Sequence, residues 1–469
     1  MHAPDSDVRH LRFVWESLID LQGAMPSKEA INIVYANAMD AFQYVNQHYH
    51  IQNLFSHQET GNHLSYQRDL TVAKFCKENG IVWKEFQSNG VIRRLSKRSE
   101  WNALWHQTML TPILPINLSA LQPMIIDWPK AWHQNKLPEA IKQSNGEFQI
   151  GGESNAHKLL HSFIEQRSVN YLKHISKPLQ SRTGCSRLSP YLAFGNLSIR
   201  QVFQATTSAI QRGHHKRQLT VFAMRLHWHC HFIQKFESEC RMEFENLNRA
   251  FNGVRNEYNQ TFYDAWANGQ TGYPLIDACM QCLAQTGYIN FRMRAMLVSF
   301  LTHNLWQHWK TGVHHLARYF LDYEPGIHYP QFQMQAGTMG VHTIRTYNPV
   351  KQSKDHDPEG VFVKKWIPSL QRVPVEFIHE PWLMPIEVQK ACGCIIGLDY
   401  PLPIIPLNTS SREANAALWN IKKTDEAKHE GATILAKHSS RKTTEERSFS
   451  KRKSKITVKN SVDLNYKLF

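Results

Sequence analysis

The sequence predicts an α/β N-terminal domain followed by a larger all-α domain, and three observations carry that expectation. Up to about residue 125, helical and strand-like stretches alternate. From about Gly151, long amphipathic helical patterns take over, and Pro112, Pro115, Pro123 and Pro129 punctuate the ground near the change. These patterns divide the chain into an α/β domain (1–125), a linker (126–150), a helical domain (151–421) and a tail (422–469).

Residues 65–79 have apolar positions at helical spacing and stop at Gly80, which suits a left-handed C-cap. Residues 81–86 then read as a strand, and helix–Gly–strand is the rhythm of a parallel α/β unit. In the second domain, 222–236 and 292–309 read as long helices. Met293, Met296, Leu297, Phe300, Leu301 and Leu305 line one stripe of the latter. Ser189 as N-cap and Pro190 as first helical residue predict a helix start, and Ser198 with Gln201 predicts a capping box. From Ile421 onward there are 13 basic and 6 acidic residues with few large apolar ones, which predicts a basic, disordered tail.

Composition narrows the function classes. Over 469 residues, 54 Lys and Arg oppose 39 Asp and Glu, for a formal net charge of +15. Such an excess favours a polyanionic partner, because basic side chains gain affinity by releasing counterions from phosphates. Apolar residues at 42% exclude whole-chain disorder. No apolar run approaches the ~20 residues of a membrane span, and the first residues lack a signal peptide's apolar core. A soluble, cytoplasmic protein is expected. Eight cysteines are too sparse for a disulfide scaffold, and 13 tryptophans point to an aromatic-rich core, an aromatic ligand site, or both.

Two stretches carry candidate chemistry. Thr183-Gly184-Cys185-Ser186-Arg187-Leu188-Ser189-Pro190 combines backbone N–H groups at a helix start with two hydroxyls and a cation, a set suited to phosphate as well as to plain helix capping. Arg292 and Arg294 at the start of one helix, with Asp322 and Glu324 after the next, could form either a buried ion-paired site or a surface network. His227 and His231 share a helix face, but no metal is expected there. Cys279 and Cys282 fall mid-helix and read as buried thiols.

Taken together, the motifs resemble the FAD-binding domain of the cryptochrome/photolyase family. The pieces are Ser-Arg-Leu-Ser-Pro-Tyr-Leu (186–192), Gly-Gln-Thr-Gly-Tyr-Pro (269–274), Asn-Phe-Arg-Met-Arg (290–294), Leu-Asp-Tyr-Glu (321–324) and Tyr-Asn-Pro (347–349) leading to Glu359-Gly360-Val361-Phe362 and Trp366. Residues 1–125 resemble the family's antenna domain without its leading strands, an incomplete doubly wound sheet, which argues against a bound antenna chromophore. The resemblance implies a U-shaped FAD in the helical domain that transfers an electron after blue-light excitation. Tyr171 and Cys185, Ser186, Arg187, Leu188 and Ser189 would hold its phosphates and ribityl region. Arg294 and Asp322 would pair beside the isoalloxazine, with Glu324 in place of the usual second Asp. His328 would face flavin N5 and switch charge near neutrality.

The resemblance also marks departures. Trp228 matches the active-site Trp of repair enzymes, but Arg225 stands where they carry Glu. Ala295 and Met334 replace a lesion-contacting Met and a second pocket Trp. Trp266 and Trp309 match the distal and middle members of the electron-feeding chain, while Phe332 replaces the proximal one, leaving Trp306 as an alternative. Arg225, His229 and Arg292 match the DNA-facing rim. Three readings follow for a protein expected to be monomeric: a DNA photolyase (a carbon–carbon lyase) acting on a pyrimidine lesion, a cryptochrome-type photoreceptor whose signalling partner is unknown, and a DNA-binding module without photochemistry.

Overall fold

The computed structural model describes residues 3–27, 30–144 and 146–439. Among these residues no helix is long and apolar enough to cross a membrane. The first elements are α1 (Val8–Gly23), α2 (Ala38–Tyr49), β1 (Asn53–His57), α3 (His63–Glu78), β2 (Val82–Phe86) and α4 (Trp101–Leu110). β1 and β2 pair in parallel, from Asn53 opposite Val82 to His57 opposite Phe86. Parallel pairing requires a crossover, and α3 supplies it. Gly80, with φ +66°, ends the α3 turn as its type predicts. One sheet face packs Leu54 and Trp83 on Val72, Phe75 and Cys76. The other leaves Phe55, Val82 and Phe86 exposed, with the two phenyl rings stacked at 6.3 Å.

The expected domain boundary needs correction. α1 and α4, both inside 1–125, pack on the helical body and not on the sheet. Phe13, Trp101, Trp105 and Met109 share a core with Leu160, Phe163, Tyr191, Phe222 and Leu226. Arg9 donates to the carbonyls of Leu283 and Tyr319. An amphipathic stripe announces that a helix needs a core but not which core, so 2.0- and 3.6-residue periodicities alone place α1 and α4 on the wrong side. The α/β part reduces to residues 38–86.

The helical body is built from α5 (Glu153–Glu165), α6 (Ser189–Ala193), α7 (Ile199–Gln211), α8 (Lys216–Ser238), α9 (Gln260–Ala267), α10 (Pro274–Thr286), α11 (Phe291–Ser299), α12 (Trp309–Tyr319), α13 (Pro325–Ala336), α14 (Leu407–Lys422) and α15 (Asp425–His438), with shorter turns between. Ser198 and Gln201 form the expected capping box of α7. The helix expected over 292–309 is broken. α11 runs into a wide π turn at Phe300–Asn304, Trp306 adopts φ +53°, and the His308 side chain caps α12. Both segments face the same core, so the apolar stripe continues through a break it does not record. The tail also differs from expectation. Thr424 caps α15, and Ala427 and Ile434 are buried, so residues 425–438 are helical; residues 440–469 of that assignment lie outside the described residues.

α8 and α13 pack at close range because α13 carries Gly326 at its start. A Cβ there would lie 2.9 Å from the Ile233 Cα on α8. Gly326→Ala therefore forces two helix backbones apart, and we expect a loss of about 1–3 kcal/mol in chemical denaturation.

Candidate functional site

The site is organised around an enclosed ion pair. Arg294 on α11 meets Asp322 in the turn before α13, with Nη1–Oδ1 at 2.9 Å and Nη2–Oδ2 at 3.0 Å. Arg294 also donates through Nε to the Ile289 carbonyl and lies over the Phe320 ring at 4.1 Å. The fork is thereby held flat, a geometry that lysine could not reproduce. The Arg294 charge and hydrogen bonds, with one from Ser189, outweigh burial and hold the Asp322 carboxyl below the ordinary range.

Ser189 is not the N-cap expected for it: Leu188 occupies that position, and α6 is one short turn. The rest of the expected phosphate stretch gathers nearby. Arg187 takes φ +61°, hydrogen-bonds Gln149 Oε1 through Nε, and stacks its guanidinium 3.5 Å from the Tyr288 ring centroid. Gln149 Nε2 returns a bond to the Arg187 carbonyl. Cys185 is buried, and burial pushes its thiol up to about 12, so it offers a neutral S–H. Ser186 Oγ accepts from the Leu188 amide, and Tyr171 is buried within range of Cys185 and Tyr288. Leu188 itself is buried in the core.

Glu324 heads α13 and forms no salt bridge among the described residues, and burial raises its carboxyl to about 7. The expected pairing of two arginines with two carboxylates is thus half realised. Arg292 turns away towards Gln352, with Nη1–Oε1 at 3.5 Å, and its charge acts on His356. His328 sits among Phe320, Tyr323, Tyr329 and Phe332, the last at 4.8 Å, and its Nε2 bonds the Val313 carbonyl at 2.8 Å. Burial drives its pKa down to about 4, which corrects the expectation of a charge switch near neutrality.

On α8 the structure separates residues that the sequence groups together. Arg225 and Trp228 are exposed, whereas His229 turns inward. Its Nδ1 is buried without a partner, and burial lowers its pKa to about 4 against the pull of Asp322. Trp266 and Trp309 are fully buried; Trp309 lies 6.4 Å from Tyr329, while Phe332 adjoins His328. Trp306 packs in a separate cluster with Phe251 and Leu418 under the Arg255 guanidinium, away from the pair. His227 and His231 engage Asn102 and Arg98. Gln149 and Phe320 are site residues that the motifs did not mark. A signal existed for Phe320, adjacent to Leu321-Asp322, but Gln149 lay in the presumed linker.

These residues fit a flavin dinucleotide. The buried Nδ1 of His229 has no hydrogen-bond partner, and Asp322 and Glu324 keep accessible surface, which leaves polar groups for such a ligand to engage. The donor set divides into hydroxyls and a cation at 186–189 and an ion pair with a protonatable carboxyl at 294–324. Surface clefts of about 660 Å³ beside Trp366 and Tyr400, and about 410 Å³ beside Pro112 and Arg200, lie elsewhere.

Breaking the pair should be costly, because Arg294 would be left enclosed without a counterion. Asp322→Ala is expected to lose about 3–5 kcal/mol in denaturant unfolding near neutral pH. The stabilisation from Asp322, whose pKa is depressed, is present above the ordinary value of about 4 and is lost as pH falls through the lower folded value. Glu324 runs the other way. Its raised pKa means that the folded state holds a proton the unfolded chain releases, so stability falls as pH rises from about 4 to about 7. Glu324→Gln should flatten that slope in unfolding measured across this window, and should exceed the parent in stability at pH 8.

The comparisons with known proteins bear on the same residues. A family model described as the FAD binding domain of DNA photolyase matches residues 222–420. The chain is 32% identical over 278 residues to a deoxyribodipyrimidine photo-lyase of Alkalihalophilus pseudofirmus, covering 58% of this chain and 57% of that protein. It is 33% identical over 273 residues to cryptochrome-2 of Arabidopsis thaliana, covering 55% and 43%. The chain thus spans about half the length of these relatives. It is 30% identical over 346 residues to a deoxyribodipyrimidine photo-lyase of Vibrio cholerae, covering 68% and 71%. In fold it is similar to a bacterial class III photolyase from Agrobacterium tumefaciens, with a TM-score of 0.73, 22% identity, and 90% and 91% of the two chains covered. A Synechocystis cryptochrome gives a TM-score of 0.75 at 20% identity, covering 88% of each. With an enclosed Arg–Asp site inside a matched FAD-binding domain and this extent of identity, the chain belongs to the cryptochrome/photolyase family.

Proposed function

We propose that this flavoprotein transfers an electron from photoexcited FAD to a pyrimidine lesion in DNA. The observation that carries the reading is the division of labour on α8, where His229 faces the enclosed site and, within a turn of it, Arg225 and Trp228 face outward. An exposed indole beside a guanidinium suits a base turned out of the stack and a nearby phosphate. Bound FAD would supply the blue-light chemistry. Arg187, Ser186 and Ser189 would hold its polar chain, Arg294 and Asp322 would orient the ring system, and His328 would stay neutral with Nδ1 as an acceptor, because its Nε2 proton is committed to Val313. The cationic surplus of the chain would assist DNA approach.

A second reading, a photoreceptor without repair, draws on Glu324. Its carboxyl, at about 7, is poised to change charge near neutrality inside the site, a role the sequence had suggested for His328. Phe332, hard to oxidise, and Arg225 in place of a lesion-bonding carboxylate also favour sensing over turnover.

A light-dependent assay on an oligonucleotide bearing a single cyclobutane pyrimidine dimer separates the readings. The repair reading predicts loss of dimers only under blue light. It also predicts that Trp228→Ala weakens dimer-DNA binding roughly tenfold, the scale of one lost base–aromatic stack, at unchanged flavin content. Light-responsive flavin without loss of dimers supports the photoreceptor, and DNA affinity in a flavin-free protein supports the DNA-binding module.

A further inference from the structure

A second cluster of charge lies further along α8, and nothing in the flavin site uses it. Arg98, in the turn before α4, is 7% exposed, and Lys235 on α8 is 5% exposed. Arg98 Nη2 donates to His231 Nδ1 at 2.8 Å and reaches the His231 carbonyl at 3.4 Å. Its Nε and Nη1 are buried with no hydrogen-bond partner. Lys235 Nζ has only the Met339 thioether, at 3.5 Å. Among the described residues, no carboxylate forms a salt bridge with either cation. The acid whose charge reaches Lys235 is Glu239, and its two oxygens are taken by Arg241, Lys437 and His438.

Both groups are cations at neutral pH. Burial lowers Arg98 only to about 10, and burial with the Arg98 charge lowers Lys235 to about 8. His231, one helical turn before Lys235, lies within range of both charges. Because Arg98 donates to its Nδ1, the ring carries its proton on Nε2 and offers a third donor. The imidazole keeps accessible surface and rests 5.5 Å from the exposed Trp228 ring, so the cluster opens beside Trp228. Enclosing two like charges without a counterion costs several kcal/mol per ion. An anion that takes up the orphaned Arg98 N–H groups and the Lys235 ammonium would offset that cost.

We propose that Arg98, His231 and Lys235 form a binding site for a small tetrahedral oxyanion of the phosphate class. A guanidinium, an ammonium and an imidazole N–H supply strong donors for several oxygens of one ion. The burial of both cations excludes a duplex backbone diester, which could not reach them. The ligand is therefore free orthophosphate or the terminal phosphate of a small monoester. This assignment stands apart from the photochemical reading, since no residue of the flavin site contributes to it.

The test is isothermal titration calorimetry of the full-length protein as purified, with orthophosphate against chloride at matched ionic strength, and with adenosine monophosphate as the ester. The proposal predicts saturable orthophosphate binding. Arg98→Gln and Lys235→Met should each weaken it at least about tenfold, and Lys158→Ala on the exposed face of α5 should leave it unchanged. Lys235→Met replaces an unpaired buried ammonium with an apolar chain, so it remains informative if Arg98→Gln does not fold. Adenosine monophosphate binding that is lost in the same variants identifies a monoester; orthophosphate binding alone identifies the free ion. No saturable binding of either, or binding that survives in Lys235→Met, overturns the proposal.

Discussion

The pairing of Arg294 with Asp322 is the constraint on which the rest of the site depends. It ties α11 to the turn before α13 and seats the guanidinium on Phe320. Both attachments draw in another element: the end of α12 through Phe320, and α13 through the chain that follows Asp322. An enclosed charge pair is poor evidence of stability for its own sake, because desolvation consumes much of the attraction. Its value lies in geometry. Two planar groups with fixed hydrogen-bond directions position a polar wall inside a mainly apolar body.

Around this wall the electrostatics divide into three kinds of group. Asp322 is held ionised by its partner, Glu324 is left uncompensated and rises towards neutrality, and His229 and His328 are kept neutral by burial. The division separates neighbours in sequence: Asp322 and Glu324 are two residues apart and differ in charge state because only one meets a cation. Close helix packing supports the arrangement from behind, where Gly326 brings α13 against the α8 backbone and Gly312 allows Trp266 against α12.

Much of the architecture was legible in the residues. The crossover helix ending at Gly80, the strand after it, the α7 capping box and the Arg294–Asp322 pair all rest on local chemistry or on ordered motifs. What escaped was set by tertiary context. The apolar stripe over 292–309 crosses a π turn without losing its phase, since both sides bury against one core. α1 and α4 look like any amphipathic helices, and only packing assigns them to the helical body. His229 and Trp228 are adjacent in sequence, yet the helix turns one into the site and leaves the other at the surface. The His328 side chain was expected to titrate near neutrality because its type does; the aromatic enclosure and the Val313 carbonyl move it to lower pKa. The masking of Gln149 within a presumed linker has the same origin, since its partner, Arg187, lies 38 residues away.

The account's central claim is that this enclosed polar wall holds a flavin. The visible absorption spectrum of the purified protein, before and after blue light with an electron donor, tests it most directly. The account predicts a bound-flavin spectrum that bleaches under illumination, with the flavin released only on unfolding. A well-folded, colourless protein that takes up no added FAD would contradict it.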